Sequence, residues 1–357
     1  MVYGQIDSAG SGAWCYTNAL RQCGFDVATF NHLTELSCYT RFVWRVIRKV
    51  NGGVLGWHRE RHQQNLRSAA RSFNPDVIII LKGLHISREC VAELRQGGAW
   101  VILINHDDFF SRNPNTWSMT QRQALPVYDY IFTTREVNVK ELVPFNRHVG
   151  FLMFAYEPLI HRPVSIGAEE REKWDADVVF VGGWERERAS FIEALMSEVP
   201  GTYAIHGDRW KKVGRLSPIR NAVRSSGVFV DDMAKAIGGA KIALGFLRKE
   251  NRDEYTQRTF EIPACGGVLV AERTGRHRSL YRESVEAEFF DPGHPSELCT
   301  VVRKLLNNPE HREMMRCSGR AALLRQNHTY QDRIVQIMDV YKARMTLNRG
   351  GSGEGKR

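Results

Sequence analysis

The sequence predicts an α/β protein of two domains, each built on a parallel sheet. Solid apolar runs such as "PDVIIILKG" and "AWVILINHDD" read as strands buried on both faces, the condition of a parallel sheet. These strands alternate with stretches of helical spacing that carry serine starts and glycine stops. A small-residue or Gly-Gly first turn occurs once in each half, "SAGSGA" near the start and "VGGW" at 181–184. The length of 357 residues suits two cores, each of about 150 residues.

In the first half, "VYGQID" is a short strand, followed by the loop containing Ser8, Gly10 and Gly12. "WCYTNALRQCG" has helical spacing and stops at Gly24, a natural C-cap, and "FDVATF" is the next strand. Residues 41–71 are predicted helical, with Gly52, Gly53 and Gly56 breaking them in two. "PDVIIILKG" is a strand closed by Lys82-Gly83, and "SRECVAELRQGG" a helix between a serine cap and a glycine stop. "AWVILINHDD" is a strand that ends in polar residues. "YDYIFTTR" and "EVNVKELV" add a strand and a short helix, and "VGFLMFAYEP" closes the half.

The second half follows a polar stretch, "LIHRPVSIGAEEREKW", read as a linker. "ADVVFVGGW" runs into a Gly-Gly turn, with "ERERASFIEALMSEV" as its helix and "TYAIHGDRW" as the next strand and turn. "VDDMAKAIGGA" is a helix, "KIALGFL" a strand, "TQRTFEIPACG" a helix into a turn, and "GVLVAER" a strand. Two helices occupy 296–327 and a last one 329–345. The expected domains are 1–158 and 159–330, with 348–357 a flexible tail. Two such domains usually face each other across a cleft, with ligands at the carboxyl ends of the strands.

Charge is concentrated. The net charge is +10, while residues 41–71 alone carry +7 and 209–224 carry +6. Two basic segments in a near-neutral body suit a polyanion or a phosphate-rich partner, or are simply solvated faces. Seven dispersed cysteines without a CxxC pair point to reduced thiols, a cytoplasmic protein and no zinc site. No run of about 18 apolar residues predicts a membrane span, and the first residues have no signal-peptide pattern.

Taken in order, "KGLHIS", "NHDDFF", "YDYIFTTREVNVKEL", "FAYEPLIHRP", "DVVFVGGWERERASFIEAL", "KIALGFL" and "RTFEIPACGGVLVAERT" resemble the CgeB-like (spore maturation) glycosyltransferases, a branch of the group 1 glycosyltransferases. The resemblance covers roughly residues 70–340. It implies the GT-B fold: two Rossmann-like domains, the nucleotide-sugar donor mainly on the C-terminal one and the acceptor mainly on the N-terminal one. It also implies that the last helix, 331–347, returns to the first domain.

Sugar transfer needs cations or preorganised donors for the departing diphosphate and often a base for the acceptor hydroxyl. In "DEYTQRTFEIPACGG" two acids, Asp253 and Glu261, stand eight positions apart. The resemblance puts Glu261 on the donor ribose, where a carboxylate accepts from a vicinal diol. It puts Asp253 near the donor sugar, in place of a more usual Glu, with Glu254 as a neighbouring alternative. Arg258, with Lys249 or Arg248, is the candidate diphosphate clamp. Gly266 and Gly267 are expected to admit the donor closely. Gly182 and Gly183 expose amides at a helix N-terminus, with Arg186 or Arg188 adding charge. The resemblance places Gly207 near the base, with Trp210 either a wall or core. Asp107, Asp108 and His106 are candidate bases, and Lys82, Gly83, Gly10 and Gly12 candidate acceptor-side or diphosphate contacts.

No metal or other cofactor is expected beyond the donor itself, because the basic residues can take the cation's part. The acceptor is a surface or spore glycan, or a hydroxymethylated base in phage DNA, which suits the basic segments 41–71 and 209–224. Two other readings stand beside a transferase: a degenerate binding protein of the same fold, and a nucleotide-sugar epimerase.

Overall fold

The computed structural model describes residues 1–32, 52–111 and 116–351, so 41–51 of the first basic segment lie outside it. The chain divides into two compact units. The first comprises Met1–Met153, Glu250–Arg252 and Tyr330–Arg357, and the second Phe154–Lys249 and Asp253–Thr329.

Six parallel strands form the first unit's sheet: β1 (Val2–Gly4), β2 (Thr29–Asn31), β3 (Val77–Leu81), β4 (Trp100–Asn105), β5 (Tyr130–Thr133) and β6 (Val149–Phe151). Their order is β2-β1-β3-β4-β5-β6. Ile78, Ile79 and Ile80 of β3 and Val101 to Ile104 of β4 are buried, as β-branched and apolar runs covered on both faces require. The order reverses between β1 and β3, which opens a crevice at the carboxyl ends of those strands. Serine side chains start the helices after β1 and β3: Ser11 accepts from Trp14 N–H at 3.2 Å and Ser87 from Cys90 N–H at 3.3 Å. The helix Tyr330–Gly351 packs on this unit, with Tyr330 edge-on to Tyr16 at 5.0 Å and Arg344 on Asp129 at 3.0 Å.

The second sheet is also all parallel: β7 (Ala176–Val181), β8 (Tyr203–His206), β9 (Val223–Ser225), β10 (Ala240–Gly245), β11 (Leu269–Glu272) and β12 (Glu288–Phe290), in the order β12-β11-β10-β7-β8-β9. Its reversal lies between β7 and β10. Phe180, Phe191, Phe246 and Phe290 meet ring to ring at 5.3 to 6.0 Å in its core.

Several elements differ from expectation. The helix Gly52–Phe73 runs unbroken through Gly53 and Gly56. Burial of Leu66 and Ala70 and the hydrogen bond from Ser87 N–H to Gln63 Oε1 (2.8 Å) hold its later turns, which outweighs a glycine cost of about 1 kcal/mol. "FDVATF" contributes only Thr29–Asn31 as strand. The stretch read as a linker is structured: Ala168–Trp174 makes helical turns and Trp174 is 1% exposed, a core anchor inside polar sequence. Edge strands β9 and β12 are absent from the sequence reading, each being three residues long and without an extended apolar run to mark it. The last helix continues to Gly351, where a tail was expected from 348.

The helix Arg258–Ala264 contains Pro263, which cannot donate to the carbonyl four residues back. That carbonyl, on Thr259, accepts from Tyr281 Oη–H at 2.9 Å instead. The helix therefore survives its proline without a buried orphan acceptor.

Candidate functional site

At the switch point of the second sheet, the chain leaves β7 at Val181 and enters Gly182-Gly183 before the helix Arg186–Glu198. Two arginines frame this turn. Arg258 opens its own helix and donates from Nε to the Val181 carbonyl at 3.0 Å and from Nη1 to Glu261 Oε2. Arg188 is 9% exposed and donates to the carbonyls of Gly183 and Leu247, each at 3.3 Å. It thus ties the loop after β7 to the loop after β10. Glu272, buried at the end of β11, accepts from Leu247 N–H at 2.8 Å and fixes the second loop further. Burial raises its pKa above the ordinary carboxylate value.

Glu261 is 3% exposed. Besides Arg258, it faces His161 Nε2 at 3.4 Å. His161 Nδ1 lies 2.9 Å from Glu157 N–H and accepts from it, so the proton of the neutral ring sits on Nε2, toward Glu261. Burial lowers the His161 pKa; Glu261 pulls it up and Arg258 pushes it down further. A carboxylate between an arginine and a neutral imidazole is an acceptor held in a fixed orientation.

Gly207 follows β8 and crosses directly over this turn. A Cβ there would lie 1.9 Å from the Gly182 carbonyl oxygen and 3.1 Å from Gly183 N. Gly182 N–H donates to His206 O and Trp184 N–H to Asp208 O, both at 2.9 Å, so the two loops lock backbone to backbone. Replacing Gly207 with alanine must push them apart. The expected loss is on the order of 2–4 kcal/mol in urea unfolding, a backbone clash that no rotamer relieves. An unchanged midpoint would show that the loops are not locked.

Other residues singled out in the sequence sit as follows. Trp210 is core: it is 3% exposed, edge-on to Phe180, and donates from Nε1 to Gly182 O at 2.9 Å. Gly266 and Gly267 terminate the helix Arg258–Ala264, with Gly267 N–H on Ile262 O at 2.8 Å. They enter β11 from its amino end, the edge opposite Gly182, so the expectation that they admit the donor is corrected. A helix antiparallel to the strands must carry its C-cap there. Arg186 is exposed. Lys249 pairs with Glu187, and Arg248 with Glu185 at 2.7 Å. Asp253 donates its N–H to Arg248 O at 3.3 Å, and exposed Glu254 offers its carbonyl to Thr274.

At the switch point of the first sheet, Lys82 and Gly83 follow β3 in left-handed conformations, with φ of 64° and 60°. Lysine in that region is strained. The turn carries Lys82 Nζ to Asp107 Oδ2 at 2.6 Å. Asn251 donates to the other oxygen of Asp107 at 3.2 Å. Burial works to raise the Asp107 pKa, but Lys82, Asn251 and Arg135 outweigh it and the net shift is downward. His106 lies beside Tyr16, and a Cβ on Gly12 would touch its ring at 3.4 Å. Burial pushes the His106 pKa down to about 4, so the ring is neutral at pH 7. Gly10, with φ of 84°, turns the loop ahead of Gly12.

Asp108 accepts from Arg252 Nε at 2.6 Å and Nη2 at 2.8 Å, and from Asn138 Nδ2 and Phe110 N–H at 2.9 Å each. Three of these donors sit on Oδ1 and one on Oδ2, and a carboxylate buried with the Arg252 guanidinium across both oxygens is a poor base for an acceptor hydroxyl. Its chemistry is that of an anchor, which sets it apart from Asp107.

Solved structures of very low sequence identity share this architecture. Sucrose-phosphate synthase from Thermosynechococcus elongatus matches with a TM-score of 0.67 at 12% identity, over 97% of this chain and 100% of that one. HepE from Anabaena, in complex with UDP, matches at 0.59 and 12%, over 96% and 99%. An α-glucosyltransferase in complex with UDP and a 13-mer DNA containing an HMU base matches at 0.64 and 11%, over 95% and 98%. The fold is GT-B. Residues 186–339 of this GT-B chain match the "Glycosyl transferase-like" family model. No curated protein matches the chain by sequence.

Sequence reasoning passed over Arg135, Asn138, Glu141, His161 and Arg252. Asn138 and Glu141 carry a signal, since residues three apart share a helix face. Arg252 carries none, because its partner Asp108 is 144 residues away.

Proposed function

We propose that the protein is a glycosyltransferase that moves a sugar from a UDP-sugar to a hydroxyl acceptor, on the CgeB-like pattern. The observation that carries this reading is the second unit's switch point. There Arg258 bonds both Glu261 and the carbonyl of Val181, the residue that leads into the Gly182-Gly183 turn. The Arg258 guanidinium suits a diphosphate, and Glu261, which keeps its bond to Arg258 through Oε2, suits a ribose hydroxyl as an acceptor through Oε1. UDP in the HepE complex and in the DNA glucosyltransferase complex supports uracil as the base. Asp107, half-held by Lys82, is the acceptor-side base of this reading, with neutral His106 beside it. Metal is not called on for the diphosphate charge, so activity in EDTA is expected to equal that in magnesium.

Calorimetric titration with UDP, GDP and their sugar derivatives tests the donor assignment. UDP is expected to bind, and Glu261→Gln to weaken it by about 1–3 kcal/mol, the scale of a hydrogen bond to a charged group. Unchanged affinity in that variant removes Glu261 from the site. Slow release of UDP from a UDP-sugar without acceptor separates a transferase from a binding protein, and an isomerised sugar nucleotide would point to an epimerase.

DNA as acceptor is the second reading. The DNA complex of the α-glucosyltransferase and the exposed Lys211 and Arg215 of segment 209–224 favour it. Within the same segment, however, Arg224 donates to the carbonyls of Lys173 and Asp175, and Arg220 to those of Gly214 and Lys211. Those charges serve the local fold. Activity on hydroxymethylated DNA that falls steeply with salt would support DNA.

A further inference from the structure

The first unit holds a second polar hollow, of about 490 Å³, lined by Arg59, Ser87, Arg88, Glu89, Thr120, Arg122, Gln123 and Pro126. Three elements build it: the helix Gly52–Phe73 supplies Arg59, the start of the helix Arg88–Gln96 supplies Arg88 and Glu89, and the helix Met119–Ala124 supplies Thr120 and Arg122. The charges are unbalanced, three guanidiniums against one carboxylate. Among the described residues, none of the three arginines makes a direct ion pair. Arg59 donates to Thr120 Oγ1 at 3.2 Å, and Arg122 donates to Phe109 O at 2.8 Å while lying 3.7 Å over the Trp117 ring. Arg67, on the same long helix as Arg59, shows the contrast, because it is neutralised by Glu60 and Glu93. Arg59 and Arg122 are fixed by neutral groups, and Arg59 and Arg88 act on the single carboxylate of Glu89, so the hollow keeps a net positive charge.

Arg88 is a local anomaly as well. A cation at a helix N-terminus opposes the helix dipole and the unpaired N–H groups there. A bound anion offsets that penalty by facing the guanidinium, since the amides of Ser87 and Cys90 are already taken by Gln63 and by the Ser87 cap. The remaining lining is hydroxyl, amide and carboxylate, the groups that hydrogen-bond a polyol. A concave hollow of this size suits a compact ligand rather than an extended backbone.

We infer that this hollow binds a phosphate monoester of a small polyhydroxyl compound, a sugar phosphate, through Arg59, Arg88 and Arg122. It goes beyond the transferase reading and does not depend on the second unit. The test is calorimetric titration of the full chain with glucose 6-phosphate, inorganic phosphate and glucose. Glucose 6-phosphate is expected to bind, phosphate more weakly, and glucose not at all. Arg59→Gln and Arg88→Gln are each expected to weaken glucose 6-phosphate binding by about tenfold or more, as loss of a charged hydrogen bond does. The melting temperature of each unliganded variant shows whether the unit is still folded. Equal responses to glucose and glucose 6-phosphate, full affinity in the folded double variant, or binding of a DNA duplex without any response to the sugar phosphate would each overturn the inference. UDP affinity of the unsubstituted protein reports separately on the second unit, so failure of the donor reading and failure of this site are distinguishable.

Discussion

Replacing Arg252 with alanine is expected to destabilise the protein by about 1–3 kcal/mol at neutral pH, the scale for stranding a buried charge discounted because the Arg252 side chain is itself 40% exposed. Arg252 grips Asp108 with two nitrogens and Glu141 with two, and Asn138 joins both carboxylates at 2.9 Å. Asp108 has no exposed surface, so the variant leaves its charge buried with only neutral donors. The pH dependence follows from sign. In the native protein, burial acts to raise the Asp108 pKa, but Arg252, Asn138 and Phe110 N–H outweigh it and the net shift is downward. A depressed carboxylate contributes stability above its unfolded pKa and loses it as pH falls through the folded one. Without Arg252 both of its lowering contributions are lost and the folded pKa of Asp108 moves up. The variant's deficit should therefore be largest near pH 7 and shrink below about pH 4, where Asp108 takes up a proton. Urea midpoints of both proteins across that range measure it. A deficit independent of pH would show that Arg252 acts through packing alone.

This cluster also shows where sequence reasoning stops. The strand runs were legible because β3 and β4 are covered on both faces and carry little but Ile, Val and Leu. The helix starts were legible because Ser11 and Ser87 cap them in the manner their spacing implies. Trp174 was not, since one aromatic among charged neighbours gives no periodicity, and only tertiary burial reveals it. Gly266-Gly267 and Gly182-Gly183 look alike in sequence. One pair ends a helix at the amino edge of the sheet, and the other turns at the carboxyl edge. Which edge a glycine pair occupies depends on chain direction within the sheet, not on the pair itself. Asp107 and Asp108 are adjacent and alternate in direction, so one reaches Lys82 and the other Arg252. Adjacency made them equivalent in the sequence, and their partners, brought from residues 82 and 252, made them different.

Arg258→Ala is expected to lower turnover by about 10²–10³-fold, the scale of removing one preorganised donor from a site of developing charge. UDP-sugar affinity should fall much less, about tenfold. The reasoning rests on the proposed donor site. Arg258 Nε is committed to the Val181 carbonyl and Nη1 to Glu261, which fixes the guanidinium plane at the mouth of the Gly182-Gly183 turn. A plane already fixed needs no reorganisation as the diphosphate departs, so its contribution appears in the transition state more than in binding. Lysine in its place keeps the charge but not the fork, and should recover only part of the rate. The substitution has a structural side effect, because Glu261 is buried and its remaining partner, His161, is neutral. The double variant Arg258→Ala, Glu261→Gln separates the two roles. Removing both charges should restore the stability lost in the single variant while turnover stays low. If the double variant recovered turnover together with stability, neither charge would serve the chemistry, and both the diphosphate clamp and the ribose acceptor would have to be sought elsewhere. A loss of affinity with turnover at saturation unchanged would place Arg258 in ground-state binding rather than in the chemistry.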